Sequence, residues 1–258
     1  HLLVIKGGKK EMRCTPPHDV PGKPYRNYMV EALHSEASET VDLLNELIRK
    51  SMILLANHPV NLKRAAAGKD KANSIWPWSP GYRPAMKTLS EQYGITSGSV
   101  ISAVDLIRGI GVYAGLDVIM VEGATGLYDT NYEGKTSAAL DALNKQDFVF
   151  LHIEASDEAG HEGDAALKVK TIEYLDSRVV KTVLEKVAEW DEELTIALLP
   201  DHPTPCALRT HTRDAVPFII YRTTDEPDAV QVYDEFSCRE GSYGLLRGPQ
   251  FMEQLIVK

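Results

Sequence analysis

DFVFLHIEASDEAGHEGD, residues 147–164, and LTIALLPDHPTP, residues 194–205, share one pattern: a short apolar run that breaks into acidic residues and histidines. Apolar runs of this length, bounded by Gly, Pro and Asp, read as strands. Asp147–Ile153 and Leu194–Leu199 are continuous enough to be buried on both faces, as parallel strands are. Pro217–Tyr221 is a third such run. Between the first two, Gly163–Trp190 carries Leu167, Ile172, Leu175, Val179, Val183, Leu184 and Val187 on the inward stripe of a long amphipathic helix. Upstream, strands at Ser99–Val104 and Leu116–Val121 enclose a helix at Asp105–Ala114 closed by Gly115, and Gly134–Leu143 is helical. From about Ser74 onward this alternation predicts an α/β domain built on a mainly parallel sheet.

Residues 1–74 read differently. An apolar strand at Leu2–Ile5 leads into CTPPHDVPGKPYRN, whose prolines forbid regular helix. An amphipathic helix follows through about Glu36–Asn57, and the basic NHPVNLKRAAAGKDKAN reads as loop. The domain boundary is therefore expected near residues 74 and 75. Trp76 and Trp78 read as packing for that junction, and His18 and Asp19 as a turn held by its own side chains.

The formal net charge of −9 excludes a surface that coats nucleic acid, which needs clustered Lys and Arg. A small phosphorylated substrate remains compatible, because bound cations supply a local positive field on an acidic protein. No apolar run approaches the roughly 18 residues of a membrane helix, so no membrane span is expected. Three cysteines without a CxxC pair predict neither a disulfide framework nor a thiolate zinc site, which suits the cytoplasm.

Open α/β sheets place their sites beyond the carboxyl ends of strands, and this is where the ligand-type residues fall. Asp157 and His161 stand four apart after the first run, and Asp201 and His202 follow the second. Adjacent residues point apart in a strand, so Asp201 and His202 are expected to reach two different ions. His211 lies just ahead of the third run and can complete the shell of Asp157 and His161. Carboxylate and imidazole donors for two hard cations are the equipment of two-metal phosphoryl transfer. Gly123 and Gly126 follow a strand, where they cradle phosphate or only permit a left-handed turn.

DEAGHEGD, DHPTP and HTRDAVPF resemble the C-terminal metal-binding motifs of the cofactor-independent phosphoglycerate mutases, in the alkaline phosphatase superfamily. CTPPHDVPGK, AVDLIRGIG and EGATGLYDTNYEGK are similar to that family's archaeal-type branch. The resemblance implies an alkaline-phosphatase-like domain over residues 75–258 and part of an inserted α+β lid domain over residues 1–74. It also implies two divalent ions, manganese, zinc or magnesium. Asp157, His161 and His211 would hold one, and Asp201 and His202 would contribute to the other. The family's nucleophilic serine and N-terminal aspartate match nothing here and are expected upstream of His1, so this chain alone is expected to be inactive.

The implied activity of the full-length protein is interconversion of 3-phosphoglycerate and 2-phosphoglycerate through a phosphoserine, a glycolytic step. Arg108, Lys23, Arg64 and Lys71 are the substrate-binding candidates, through ion pairs with carboxylate or phosphate. The proline in DHPTP departs from the family's usual form and keeps a homoserine kinase-like phosphotransferase as an alternative. The missing nucleophile keeps a second one, an inactive metal-binding fragment.

Overall fold

Gly98–Ile101 (β3) is buried along its whole length and forms the centre of a parallel sheet of order β4-β3-β5, with β4 at Asp117–Ile119 and β5 at Phe148–Leu151. The register pairs Val100 with Val118 on one side and with Phe150 on the other. The helix α4, Asp105–Tyr113, closes over β3 through Gly111, where a side chain would collide with Val100. These elements come from a computed structural model that describes residues 2–256. The chain forms two compact units, His1–Ala85 and Met86–Lys258.

In the first unit an antiparallel pair of two-residue strands, β1 (Met12–Arg13) and β2 (Glu31–Ala32), packs with α1, Ser38–Ala56. Met12, Val30, Val41, Leu44 and Ile48 make its core. The unit runs past the boundary expected at residue 74: Trp76 packs against this core and its indole N–H donates to Thr15 O at 2.9 Å. Two local expectations are corrected. Residues 2–5 form no strand, and Leu2 and Val4 are exposed. The segment read as a loop after Asn57 contains α2, Pro59–Ala66, started by a His58 cap and a proline in its first turn. Its anchor is polar: the buried Asn61 amide donates to Leu55 O and Ala72 O and accepts from Ala72 N. No apolar stripe announced that helix.

In the second unit α3 (Leu89–Tyr93) precedes β3, and α5 (Tyr132–Leu143) leads to β5. The chain continues through α6 (Ala155–Glu162) and α7 (Ala165–Tyr174). A π-helical turn at Leu175–Val180 and α8, Lys181–Val187, follow without a break. The antiparallel pair β6 (Thr195–Leu198) and β7 (Ile219–Arg222), and α9 (Gln250–Ile256), complete it. The long helix is thus real but not α throughout. Thr171, Val179 and Val187 are buried, whereas Ile172 and Leu184, read as inward, are exposed. Steps of four residues drift by roughly 40° each on an α-helix; the wider π-turn absorbs that drift and shifts the buried face. There Arg178 stacks over the rings of Tyr132 and Tyr174 and is held by both oxygens of Glu133. The strand β5 is likewise less enclosed than its sequence suggested: it edges the sheet and Phe150 is exposed.

Lys135 of α5 is 1% exposed, and its ammonium donates a long bond to Thr125 O, 3.3 Å. Burial holds its pKa below the ordinary 10.5, with Glu154 offsetting part of the effect. The unfolded chain therefore keeps this proton to higher pH than the native one, and stability rises with pH between the lowered value and 10.5. Urea midpoints taken from about pH 8 to 10.5 should climb less steeply in Lys135→Met than in the parent protein; parallel curves would remove the effect from Lys135.

Candidate metal centre

Three residues separate the end of β5 from the start of α6, and Asp157 and His161 lie four apart on one helix face rather than on a turn. Gly163, at φ +74°, ends the helix in the left-handed conformation that favours glycine. His161 Nε2 is 3.3 Å from Asp157 Oδ2 and 3.0 Å from His211 Nε2, and His211 Nε2 is 3.6 Å from Asp157 Oδ1. Donors about 2.0–2.1 Å from a tetrahedral zinc stand roughly 3.3–3.4 Å apart, so these separations fit one small divalent cation.

The second pair departs from expectation. Asp201 and His202 follow β6 in a bend after Pro200, and their side chains converge, His202 Nε2 lying 3.2 Å from Asp201 Oδ2. The strand rule that would separate them does not apply once the strand has ended at Leu198. The His202 ring lies against His211 with centroids 3.7 Å apart and planes tilted by 32°, and its Nδ1 is 3.9 Å from Asp157 Oδ1. All five predicted ligands therefore form one contiguous cluster, in which Asp157, His202 and His211 present ligand atoms within 4.8 Å of one another.

Protons on these rings follow from their partners. His161 Nδ1 faces Arg209 O at 3.1 Å, and a carbonyl only accepts, so Nδ1 carries the hydrogen and Nε2 is the nitrogen that the neutral ring turns toward His211 and Asp157. Arg209 presents that carbonyl from a left-handed backbone, φ 55°, unusual for a residue with a side chain. Below the histidines the charge is negative: Glu154, Asp157 and Glu158 also bring carboxylate oxygens within 4.8 Å of one another. Burial, then Asp157, Glu158 and Asp201, raise the Glu154 pKa. Concentrated carboxylates among imidazole lone pairs match the chemistry of a divalent cation.

Several residues of this region had escaped sequence reading. His152 lies between Ser102, whose hydroxyl is 3.0 Å from Nδ1, and Glu154, 3.2 Å from Nε2; burial lowers its pKa. Thr204 and Lys168 hold the DHPTP turn, Lys168 Nζ donating to Thr204 O at 2.7 Å. Thr204 was visible inside a quoted motif, but nothing marked Lys168 among the charges of a helix.

The substrate-binding candidates divide between the units. Arg108, in α4, donates to Ala103 O, to Asp105 and to Met120 Sδ at 3.0, 2.6 and 2.8 Å. Its Nε is the buried side-chain polar atom without a hydrogen-bond partner among the described residues. Lys23, Arg64 and Lys71 lie exposed in the first unit, where Arg64 Nε donates to Asp70 O at 2.6 Å. The loop of Gly123 and Gly126 is knitted by its own side chains, with Thr125 N donating to Thr130 and Asn131 to Glu122 O, which favours the turn reading over a phosphate cradle.

Residues 24–258 match the metalloenzyme superfamily. Over 99% of its length the chain is 51% identical to a 2,3-bisphosphoglycerate-independent phosphoglycerate mutase of Methanosarcina acetivorans, covering 63% of that protein. A probable mutase of the same name from Geobacter sulfurreducens is 46% identical over 99% of the chain, with 62% of the relative covered. A solved structure from Pyrococcus horikoshii aligns with a TM-score of 0.75 at 31% identity, over 86% of this chain and 57% of that one. The cofactor-independent phosphoglycerate mutase of Thermoplasma acidophilum shares the fold, with a TM-score of 0.55 at 23% identity over 97% of this chain and 60% of the other. The chain thus spans about three-fifths of the length of the relatives it matches.

Proposed function

The chain belongs to the metalloenzyme superfamily, and on that premise we propose that it carries the divalent-metal centre of a phosphoglycerate-interconverting enzyme, completed in the full-length protein by a serine nucleophile. The observation that carries the reading is the spacing of Asp157, His161 and His211, which fits one small cation, with Asp201 and His202 alongside for a second. Bound cations of this kind activate a hydroxyl nucleophile and neutralise the charge of an in-line phosphoryl transfer. Manganese, zinc and magnesium are all compatible with the donor set.

The chain's own residues prepare that chemistry. Arg209 O accepts from His161 Nδ1, which leaves Nε2 as the ligand nitrogen of the neutral ring, and Asp157 accepts from Thr204 while facing both His161 and His211. In the complete enzyme the bond from phosphorus to the 3-oxygen of glycerate breaks as the bond to serine forms. The reverse step at the 2-oxygen regenerates the serine. Residues 1–74 would belong to a lid domain, whose part in such an enzyme is to exclude the water that would hydrolyse the phosphoserine between the two steps. Arg108, Lys23, Arg64 and Lys71 supply cationic contacts to carboxylate and phosphate. No helix of the described residues is long and apolar enough to cross a membrane. The mutase names of the relatives support placing the enzyme in cytoplasmic glycolysis.

The mutase names of the relatives favour this substrate over the homoserine kinase and inert-fragment alternatives. The test is 2-phosphoglycerate formation from 3-phosphoglycerate by the full-length protein, with and without a chelator. Chelator-sensitive turnover is expected. ATP-dependent phosphorylation of homoserine with no 2-phosphoglycerate would overturn the reading.

A further inference from the structure

Thr204 touches two of the five candidate ligands, and these come from different returns of the chain. Its hydroxyl donates to Asp157 Oδ1, on α6, and the same oxygen lies 3.3 Å from His202 Nδ1, in the turn after β6. The residue is 3% exposed, so water does not compete for either contact. A hydroxyl has one hydrogen to give. With that hydrogen on the Asp157 carboxylate, the oxygen is left as an acceptor, and the partner at His202 Nδ1 must be an N–H. The ring is then obliged to offer Nε2, the nitrogen 3.2 Å from Asp201 Oδ2. In the neutral ring that nitrogen and the carboxylate oxygen facing it are both donors to a metal, so one divalent cation can satisfy the two together.

The backbone of Thr204 is fixed as firmly as its side chain. Its carbonyl accepts from Lys168 Nζ at 2.7 Å, and α6 lies directly against it at Gly160, where any Cβ would overlap that carbonyl oxygen. Pro203 O accepts from Thr212 N at 3.1 Å, which ties the segment carrying His211 to the same turn. Helix, turn and His211 segment are thus registered to one another through residues 203 and 204.

We propose that Thr204 is the positioning residue of the metal centre: its hydroxyl selects Nε2 of His202 as the ligand atom and fixes the Asp157 carboxylate, so that the two chain returns bind metal as a unit. This rests on the metal-centre reading above. It adds a role for a residue that touches no ion itself, through the outer-layer hydrogen bonds that tune ligands elsewhere.

The test uses zinc, which permits nuclear magnetic resonance of the loaded protein. Thr204→Val keeps the shape and deletes the hydroxyl, and Thr204→Ser keeps the hydroxyl. The parent chain should bind zinc in calorimetry and show a slowly exchanging Nδ1–H of His202. In Thr204→Val the affinity should fall about 10–100-fold and that proton should exchange freely, while Thr204→Ser should retain both. Unchanged affinity and proton protection in Thr204→Val would overturn the role, as would their loss in Thr204→Ser, which decides the matter if the valine variant does not fold. A parent chain that takes up no zinc would instead overturn the metal reading itself.

Discussion

Gly160→Ala should destabilise the second unit by about 2 kcal/mol and weaken divalent-metal binding with it. Alanine for glycine inside a helix ordinarily gains about 1 kcal/mol. Here the new methyl overlaps the Thr204 carbonyl oxygen and falls 2.9 Å from Thr204 Cγ2. No rotamer relieves a Cβ contact with backbone, and overpacking of this kind costs up to about 3 kcal/mol. The carbonyl cannot retreat without losing the Lys168 ammonium. The penalty therefore exceeds the propensity gain, and relaxation must separate α6 from the turn, moving Asp157 and His161 away from His202 and His211. Gly109→Ala is the internal control, since a Cβ there meets nothing within 4 Å on α4. It should stabilise by up to about 1 kcal/mol. Urea unfolding of the two variants should shift in opposite directions. A stabilised Gly160→Ala with parental zinc affinity would mean that α6 and the turn are not in contact.

Asp157→Asn should give two effects of opposite sign. Asp157 faces His161, His202 and His211 and accepts from Thr204, so it is the carboxylate most shared within the cluster. The amide keeps the size and removes the anionic donor; since outer hydrogen bonds alone are worth 10–100-fold in affinity, loss of this ligand should cost at least about 100-fold. Without metal the prediction reverses. Glu154, Glu158 and Asp201 crowd the same region, and Asp157 is among the charges that raise the Glu154 pKa. Removing one of these like charges relieves repulsion, so the metal-free variant should be at least as stable as its parent. Calorimetry with zinc and denaturant titration in chelator measure the two halves. A variant that loses stability in chelator while keeping zinc affinity would make Asp157 a structural residue.

What was legible in the sequence was the part written in short-range pattern. The strands at residues 98–101, 117–119, 148–151, 195–198 and 219–222 overlap the five runs expected from their apolar content and the turn residues around them. The ligand types could be read because two groups follow a strand end and His211 lies ahead of the next strand. What lay beyond the sequence depended on contacts across long separations. Asp201 and His202 converge because the chain bends after Pro200, which their adjacency alone does not reveal. The short helix at Pro59–Ala66 is held by Asn61, a polar anchor that no hydrophobic periodicity can report. Thr204 and Lys168 acquire their significance only when α6, α7 and the turn after β6 are brought together.

The π-turn at Leu175–Val180 has a meaning for how this chain can change. Such a turn accommodates a residue more than an α-turn of similar height, so it can take up a surplus residue while the helix on either side keeps its partners. Arg178 occupies the widened turn, clamped by Glu133 and two tyrosine rings, so the surplus is localised instead of being passed along the helix. The end that carries Lys168 and the end that carries Val187 are thereby insulated from each other. Gains and losses of length can accumulate in the outer helix while the geometry at Thr204 is inherited intact.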